Sequence, residues 1–195
     1  MPGDVEDDAR LRLRAAVQAL RSPETAKRAP APSSSVFGRA AAAFPADAHE
    51  PVGLADLTTR LRSVETSALR PGTTLALLVV PSLQAGEDLA SSCLQLVAGG
   101  SVVVVLGPGL PRAVDDRTRP SMVPLRADDA LATEIGLIAC GPVRRVAFLA
   151  RSEPHDPEAW RWLTTRDPVA VQRAGTAILE RVPFLGLRVP ALTMR

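Results

Sequence analysis

The residues best equipped for chemistry are few. His49 and His155 sit in stretches flanked by proline, and neither has a Glu or Cys at ligand spacing. Metal binding or general-base catalysis by either is therefore not indicated. Cys93 falls on a helical apolar stripe and Cys140 ends an apolar run. Both read as packing thiols rather than nucleophiles. Gly107-Pro108-Gly109 follows a valine-rich strand, where a phosphate loop belongs. It lacks the third glycine of a dinucleotide fingerprint, no Gly-Lys-Ser/Thr follows, and its proline removes an amide donor, so it reads as a turn. No Gly-x-Ser-x-Gly elbow supplies a serine nucleophile. Glu65 lies at the margin of an apolar helix stripe, either solvated or held as a buried hydrogen-bonding or ligand-contacting group. Trp160 and Trp162, two apart on one strand, project from one sheet face. They read as packing beneath the last helix or as an aromatic wall for an organic ligand. No catalytic constellation, metal site or cofactor motif emerges.

These residues must be positioned by elements of both kinds. Leu13, Ala16, Val17 and Leu20 form one stripe of a short amphipathic helix, and Lys27 to Ser35 is a Pro/Ala/Ser linker. Residues 1–35 thus read as an appendage, and residues 36–195 as the domain. Within the domain, Ser35 is the expected N-cap of a helix over Val36 to Phe44, and a loop between Pro45 and Pro51 carries His49. Leu54, Leu57, Leu61, Val64 and Ala68 mark a second helix. Thr73 to Val80 predicts a buried strand. Leu89, Cys93, Leu96 and Val97 predict a helix closed by Gly99-Gly100, and Val102 to Leu106 predicts a second strand. Strand, helix and strand in this span form a parallel βαβ unit. Neither strand shows polar alternation, which places both in a sheet covered on its two faces.

Beyond residue 110 the pattern changes. Val114 to Pro120 is a polar crossing and Met122 to Leu125 a short edge strand. Ile135 to Cys140 and Val143 to Ala150 are strands too close for a crossover helix, hence antiparallel neighbours. Ser152 to Glu158 is a loop with His155, Trp160 to Thr164 the last strand. Asp167 as N-cap and Pro168 at the first helical position open a final helix carrying Val171, Ala174 and Ile178 on one face. The expected class is α/β: a mixed sheet with a parallel βαβ unit, then antiparallel strands and a C-terminal helix.

Composition bounds the function. The chain has 195 residues, 46% hydrophobic and 23% charged, which suits a soluble globular protein. Its apolar runs fall short of a membrane span, and its acidic start, Gly3 to Asp8, is unlike a signal peptide, so the cytoplasm is the expected location. Basic residues number 23 against 21 acidic, and all but Lys27 are arginine. The arginines are scattered and aromatics make up 3%, which argues against a nucleic-acid surface. The abundance of arginine, alanine and proline, with no tyrosine or asparagine, reads as coding bias.

The C-terminal half carries a family resemblance. Val102 to Gly107, Val123-Pro124-Leu125, Asp128-Asp129, the run Ile135 to Pro142, Val146 to Arg151, Trp162-Leu163-Thr164-Thr165 and the helix Val169 to Val182 occur in the order of the DICT sensory domain. The helix around Leu61 to Glu65 resembles the segment before that family's first strand. The similarity spans roughly residues 54 to 183, mostly as apolar strand pattern. It implies a signalling module of the kind found beside diguanylate cyclase, two-component and MerR-type regulatory domains. Two departures stand out. Gly141-Pro142-Val143 replaces a Gly-Pro-His run, and Arg166-Asp167 reverses an Asp-Arg pair. A ligand contact made by those polar groups elsewhere in the family would be altered or lost here.

The resulting expectation is a non-enzymatic cytoplasmic sensory or regulatory protein in bacterial signal transduction. It would bind a small ligand or a partner signalling protein or transcription regulator, without cofactor, nucleic acid or membrane. Self-association as a homodimer stays open. The competing readings are a small-molecule enzyme on the same sheet and a pure interaction module. Ligands of parallel sheets bind beyond the strands' carboxyl ends. The candidate site is therefore Ser82, Gln84 and Gly107, with Trp160 and Trp162 as its apolar wall.

Overall fold

The computed structural model describes residues 34–68, 72–82, 90–111, 119–142 and 144–182. The predicted first helix, most of the linker after it, and most of the polar crossing before Pro120 lie outside these residues. Among the described residues the elements are α1 (Val36–Ala43), β1 (Ala48–Gly53), α2 (Leu54–Ala68), β2 (Leu75–Val79), α3 (Ala90–Ala98), β3 (Val102–Pro108), β4 (Ser121–Leu125), β5 (Glu134–Cys140), β6 (Arg145–Glu153), β7 (Asp156–Thr165) and α4 (Pro168–Leu179). The strands make one mixed sheet in the order β1-β7-β6-β5-β2-β3-β4. β2, β3 and β4 run parallel to one another, and the other pairings are antiparallel. No helix among the described residues is long and apolar enough to cross a membrane.

The sheet is the middle layer of three. Leu75, Leu77 and Val79 pack with Val36, Phe37, Val171, Ala174 and Ile178, so α1 and α4 cover one face. Ala76, Leu78 and Val80 pack with Leu57, Ala68, Cys93 and Leu96, so α2 and α3 cover the other. Successive β2 side chains point to opposite sides, and both sides are dry, which is why the strand reads as continuous hydrophobe rather than alternation.

Local chemistry ends the helices. Asp167 Oδ1 accepts from the amides of Val169 at 2.9 Å and Ala170 at 2.8 Å, with Pro168 in the first turn. Ser35 Oγ accepts the Gly38 amide at 2.7 Å. At the end of α3 the Gly100 amide donates to Val97 and the Ser101 amide to Leu96. That Schellman pair needs a left-handed residue, and Gly100 has φ +80°.

Four expectations change. The His49 stretch is not a loop: it forms edge strand β1, pairing His49 with Trp162. Its register slips between His49 and Val52, around Pro51, which an edge strand tolerates. The segment after Ser152 is a tight β6–β7 hairpin, pairing Glu153 with Asp156, rather than a loop to Glu158. The tryptophans pack under α2 rather than the last helix, because α4 lies on the opposite face. Leu54, assigned to the apolar stripe of α2, is 54% exposed at its first residue.

Two polar groups lie inside the α1/α4 face. Arg181 Nε donates to both oxygens of Asp129, at 3.1 and 3.0 Å, while its other nitrogens donate to the carbonyls of Ala177 and Ser34. Ser34 and Ser35, the last linker residues, are thereby tied to the domain. Glu134, fully buried, accepts the Phe37 amide at 3.1 Å. Burial pushes its carboxyl above the ordinary value, against the pull of Ser35, the Phe37 and Val36 amides and Arg151.

Asp167→Ala is expected to cost about 1 kcal/mol, read as a fall of about 2–4 °C in Tm. Glu134 yields a pH dependence. The folded state holds its proton more tightly than the unfolded chain, so its contribution is complete below the ordinary value of 4.5 and declines as pH rises through the raised one. Glu134→Gln is expected to remove that decline, measured as urea midpoints from roughly pH 4 to 8.

Candidate functional site

The sequence-predicted site residues are spread along the carboxyl edge of the parallel strands. Ser82 is exposed just beyond β2, and Gln84 lies outside the described residues. Gly107 is buried in β3, where an added Cβ would stand 2.6 Å from the Val80 carbonyl oxygen and 2.7 Å from its side chain. Steric necessity accounts for this glycine.

Trp160 and Trp162 do share a face, packed in the α2/α3 layer. Trp162 pairs with Ala150, and Ala150 with Ile135, one residue past the Val79–Gly136 pair. The rings thus stand level with the end of β2, but three strand positions away, about 14 Å at ~4.8 Å per strand. The structure does not bring them against Gly107. Trp162 is covered by the His49 ring, stacked at 4.0 Å, and by the Arg60 guanidinium, 4.6 Å from its centroid. Its indole nitrogen is buried without a hydrogen-bond partner among the described residues.

A polar cavity of about 410 Å³ opens at the opposite edge, where β2 begins. Its walls come from four places: the end of α2 (Ser67, Ala68), Thr73 before β2, the β5–β6 turn (Ala139, Arg144, Arg145, Val146) and Arg166 between β7 and α4. Each wall is held by backbone. The Gly141 amide donates to the Arg144 carbonyl at 2.8 Å, closing the turn. Gly141 packs directly on Gly72, and any side chain there would collide with the Gly72 carbonyl. Thr73 Oγ1 donates to the Ala68 carbonyl at 2.6 Å, and Ser101 Oγ to the Thr73 carbonyl at 2.8 Å. The Asp167 amide donates to Thr165 Oγ1, fixing the backbone on the far side of Arg166.

Three arginines thus line one cavity, although Arg145, paired with Cys140 across the β5–β6 ladder, shares that residue's α1/α4 face. Arg144 and Arg166 are exposed and Arg145 half-buried, and none forms an ion pair with a described residue. Among the described residues the lining holds no Asp, Glu, His or Cys. Arginine keeps its proton at any physiological pH, so this wall donates hydrogen bonds and positive charge and moves no protons. The nearest thiol, Cys140, packs on the α1/α4 side. Burial pushes it up to about 11, only partly offset by Arg145. Cys93 is pushed up to about 12 by burial and then by Glu65. Both behave as packing thiols. Glu65 itself is half-buried beside Ser92; burial raises its carboxyl, against Arg62 and the Ser92 hydrogen bond.

A second cavity, about 340 Å³, separates α1 from α4. Its floor is small and apolar (Ala40, Ala43, Ala170, Ala174, Ala177), with Arg39, Arg173 and Glu180 at the rim. Among the described residues no three His, Cys, Asp or Glu side chains converge to hold a metal.

Sequence reasoning passed over the arginine cavity because its cations are separated along the chain and hidden among 22 arginines. Residues 141–142 and 166–167 fall on the two turns that flank this cavity; Val143 lies outside the described residues. No family model, curated protein or solved structure matches the chain.

Because Gly107 is required by close packing, Gly107→Ala is expected to destabilise by about 1–3 kcal/mol. The check is chemical denaturation; a neutral result would free Gly107 for a ligand role.

Proposed function

We propose that this protein is a non-enzymatic regulatory module of the sensory-domain type, acting in the cytoplasm, that responds to a small anionic ligand. The observation that carries this reading is the meeting of Arg144, Arg145 and Arg166 at one cavity whose described lining residues include no Asp, Glu, His or Cys. Such a lining binds and orients; among its described residues there is no carboxylate, imidazole or thiol to transfer a proton or attack a bond. The resemblance to the DICT sensory domain supports the same reading, and both departures from its pattern border this cavity. A family ligand recognised through the missing histidine would be replaced here by one suited to guanidinium groups.

The bound state would reach a partner through α4. Arg166 directly precedes its N-cap, Asp167, so a ligand held by Arg166 bears on the first turn of a helix that covers one face of the sheet together with α1. The output is then the surface of α1 and α4, read by a separate signalling protein or transcription regulator.

A thermal-shift screen of metabolites on the full chain tests this. Ligands at about 100 times their Kd are expected to stabilise by about 2.7 kcal/mol, raising Tm by about 5–10 °C. The hits are expected to be anions and to be recovered chemically unchanged. The triple variant Arg144→Gln/Arg145→Gln/Arg166→Gln is expected to lose the shift while keeping its own Tm. Hits that survive in the triple variant, or that are converted to product, would overturn the reading.

A further inference from the structure

We infer that the ligand of the arginine cavity is a compact polyanion, with at least two negative charges on one small molecule and no aromatic ring system. This rests on the reading that the cavity is a ligand site, and it adds the chemical class. Three features decide it.

The first is charge. Arg144 and Arg166 bring two positive charges to one cavity, with no carboxylate among its described lining residues and no ion pair to any described residue. Like charges sharing a cleft repel, and a monoanion would leave one of them uncompensated. A dianion compensates both.

The second is arrangement. Arg144 and Arg145 come from the β5–β6 turn, and Arg166 from the β7–α4 connection. The guanidinium fork pairs bidentately with phosphoryl or carboxylate oxygens. Two anionic groups on one ligand can each take one fork.

The third is the rest of the lining. Among the described residues its apolar members are Ala68, Ala139 and Val146, and none is aromatic. A nucleobase or other flat ring would find no stacking surface. At about 410 Å³ the cavity suits a metabolite of modest size. Thr73 already spends its hydroxyl hydrogen on the Ala68 carbonyl, leaving Ser67 as the hydroxyl best placed to donate to the ligand.

The experiment uses the full chain and two matched pairs of probes: acetate against citrate, and dimethyl phosphate against inorganic pyrophosphate. Affinity is measured by calorimetry, and location by amide chemical shifts. At least one polyanion is expected to bind ten times or more tightly than its monoanionic counterpart, moving the resonances of Ser67, Thr73, Arg145 and Arg166. Which pair shows the gap separates carboxylate from phosphoryl recognition. Arg166→Gln, an exposed change, is expected to weaken the polyanion at least tenfold and the monoanion less than threefold. If monoanion and polyanion bind alike at these residues, the polyanion class is wrong while the anion site stands. If no probe moves these residues, the site itself is wrong and the inference falls with it.

Discussion

The contact on which the rest depends is the buried bridge from Arg181 to Asp129. The Arg181 side chain is 3% exposed, and a charge that deeply placed must be fully paired or it is strongly destabilising. Asp129 supplies two oxygens, while the carbonyls of Ala177 and Ser34 take the remaining nitrogens. One side chain therefore joins the end of α4, the short turn that leads into β5, and the point where the chain enters the domain. Asp129 serves twice, since the same carboxylate caps that turn through the Leu131 amide at 2.9 Å. Removing either partner would leave a buried ion alone and loosen three chain segments at once.

Glu134 complements it from the same turn. Its carboxyl takes an amide at the start of α1, where the first N–H groups of a helix have no partner within the helix. The pair of acidic residues, Asp129 and Glu134, thus anchors both helices of one layer through polar contacts that only their positions allow. In the opposite layer, α2 and α3 are held by apolar packing of Leu57, Cys93, Leu96, Phe148 and Trp162, with the Glu65–Ser92 hydrogen bond as a polar link between the two helices. The arginine cavity touches both layers: the end of α2 lines it directly, and Arg166 stands one residue before the N-cap of α4.

The chemistry of the domain lies at the sheet's ends. The faces are filled by helices, so polar groups have room only where strands give way to turns. At the carboxyl edge of β2 and β3, Gly107 is taken up by close contact with Val80, and Trp162 is roofed by His49 and Arg60. At the other edge, the close approach of Gly141 to Gly72 pulls the β5–β6 turn against the start of β2 and sets Arg144 and Arg145 beside the cavity. The general rule for parallel sheets favours the first edge; this mixed sheet builds its polar cavity at the second. Its antiparallel β5–β6 connection, which a purely parallel sheet lacks, provides the cationic wall.

What the sequence determined by itself was local. The βαβ unit, the antiparallel β5–β6 pair, the Asp167-Pro168 start, the Ser35 cap and the Gly99-Gly100 stop all follow from short-range rules: apolar period, side-chain hydrogen bonds to nearby amides, and the freedom of glycine at positive φ. Tertiary structure alone decided the rest. His49 became an edge strand because β7 offered it a pairing edge, not because Ala48 to Gly53 favours extension. The tryptophans chose the α2 layer through strand parity and helix placement, which no window of sequence contains. The three arginines met because the β6–β7 hairpin returns the chain over the 20 residues between Arg145 and Arg166. A charge has no periodicity to betray its partners, so convergence of like charges is visible only once the backbone has closed around them.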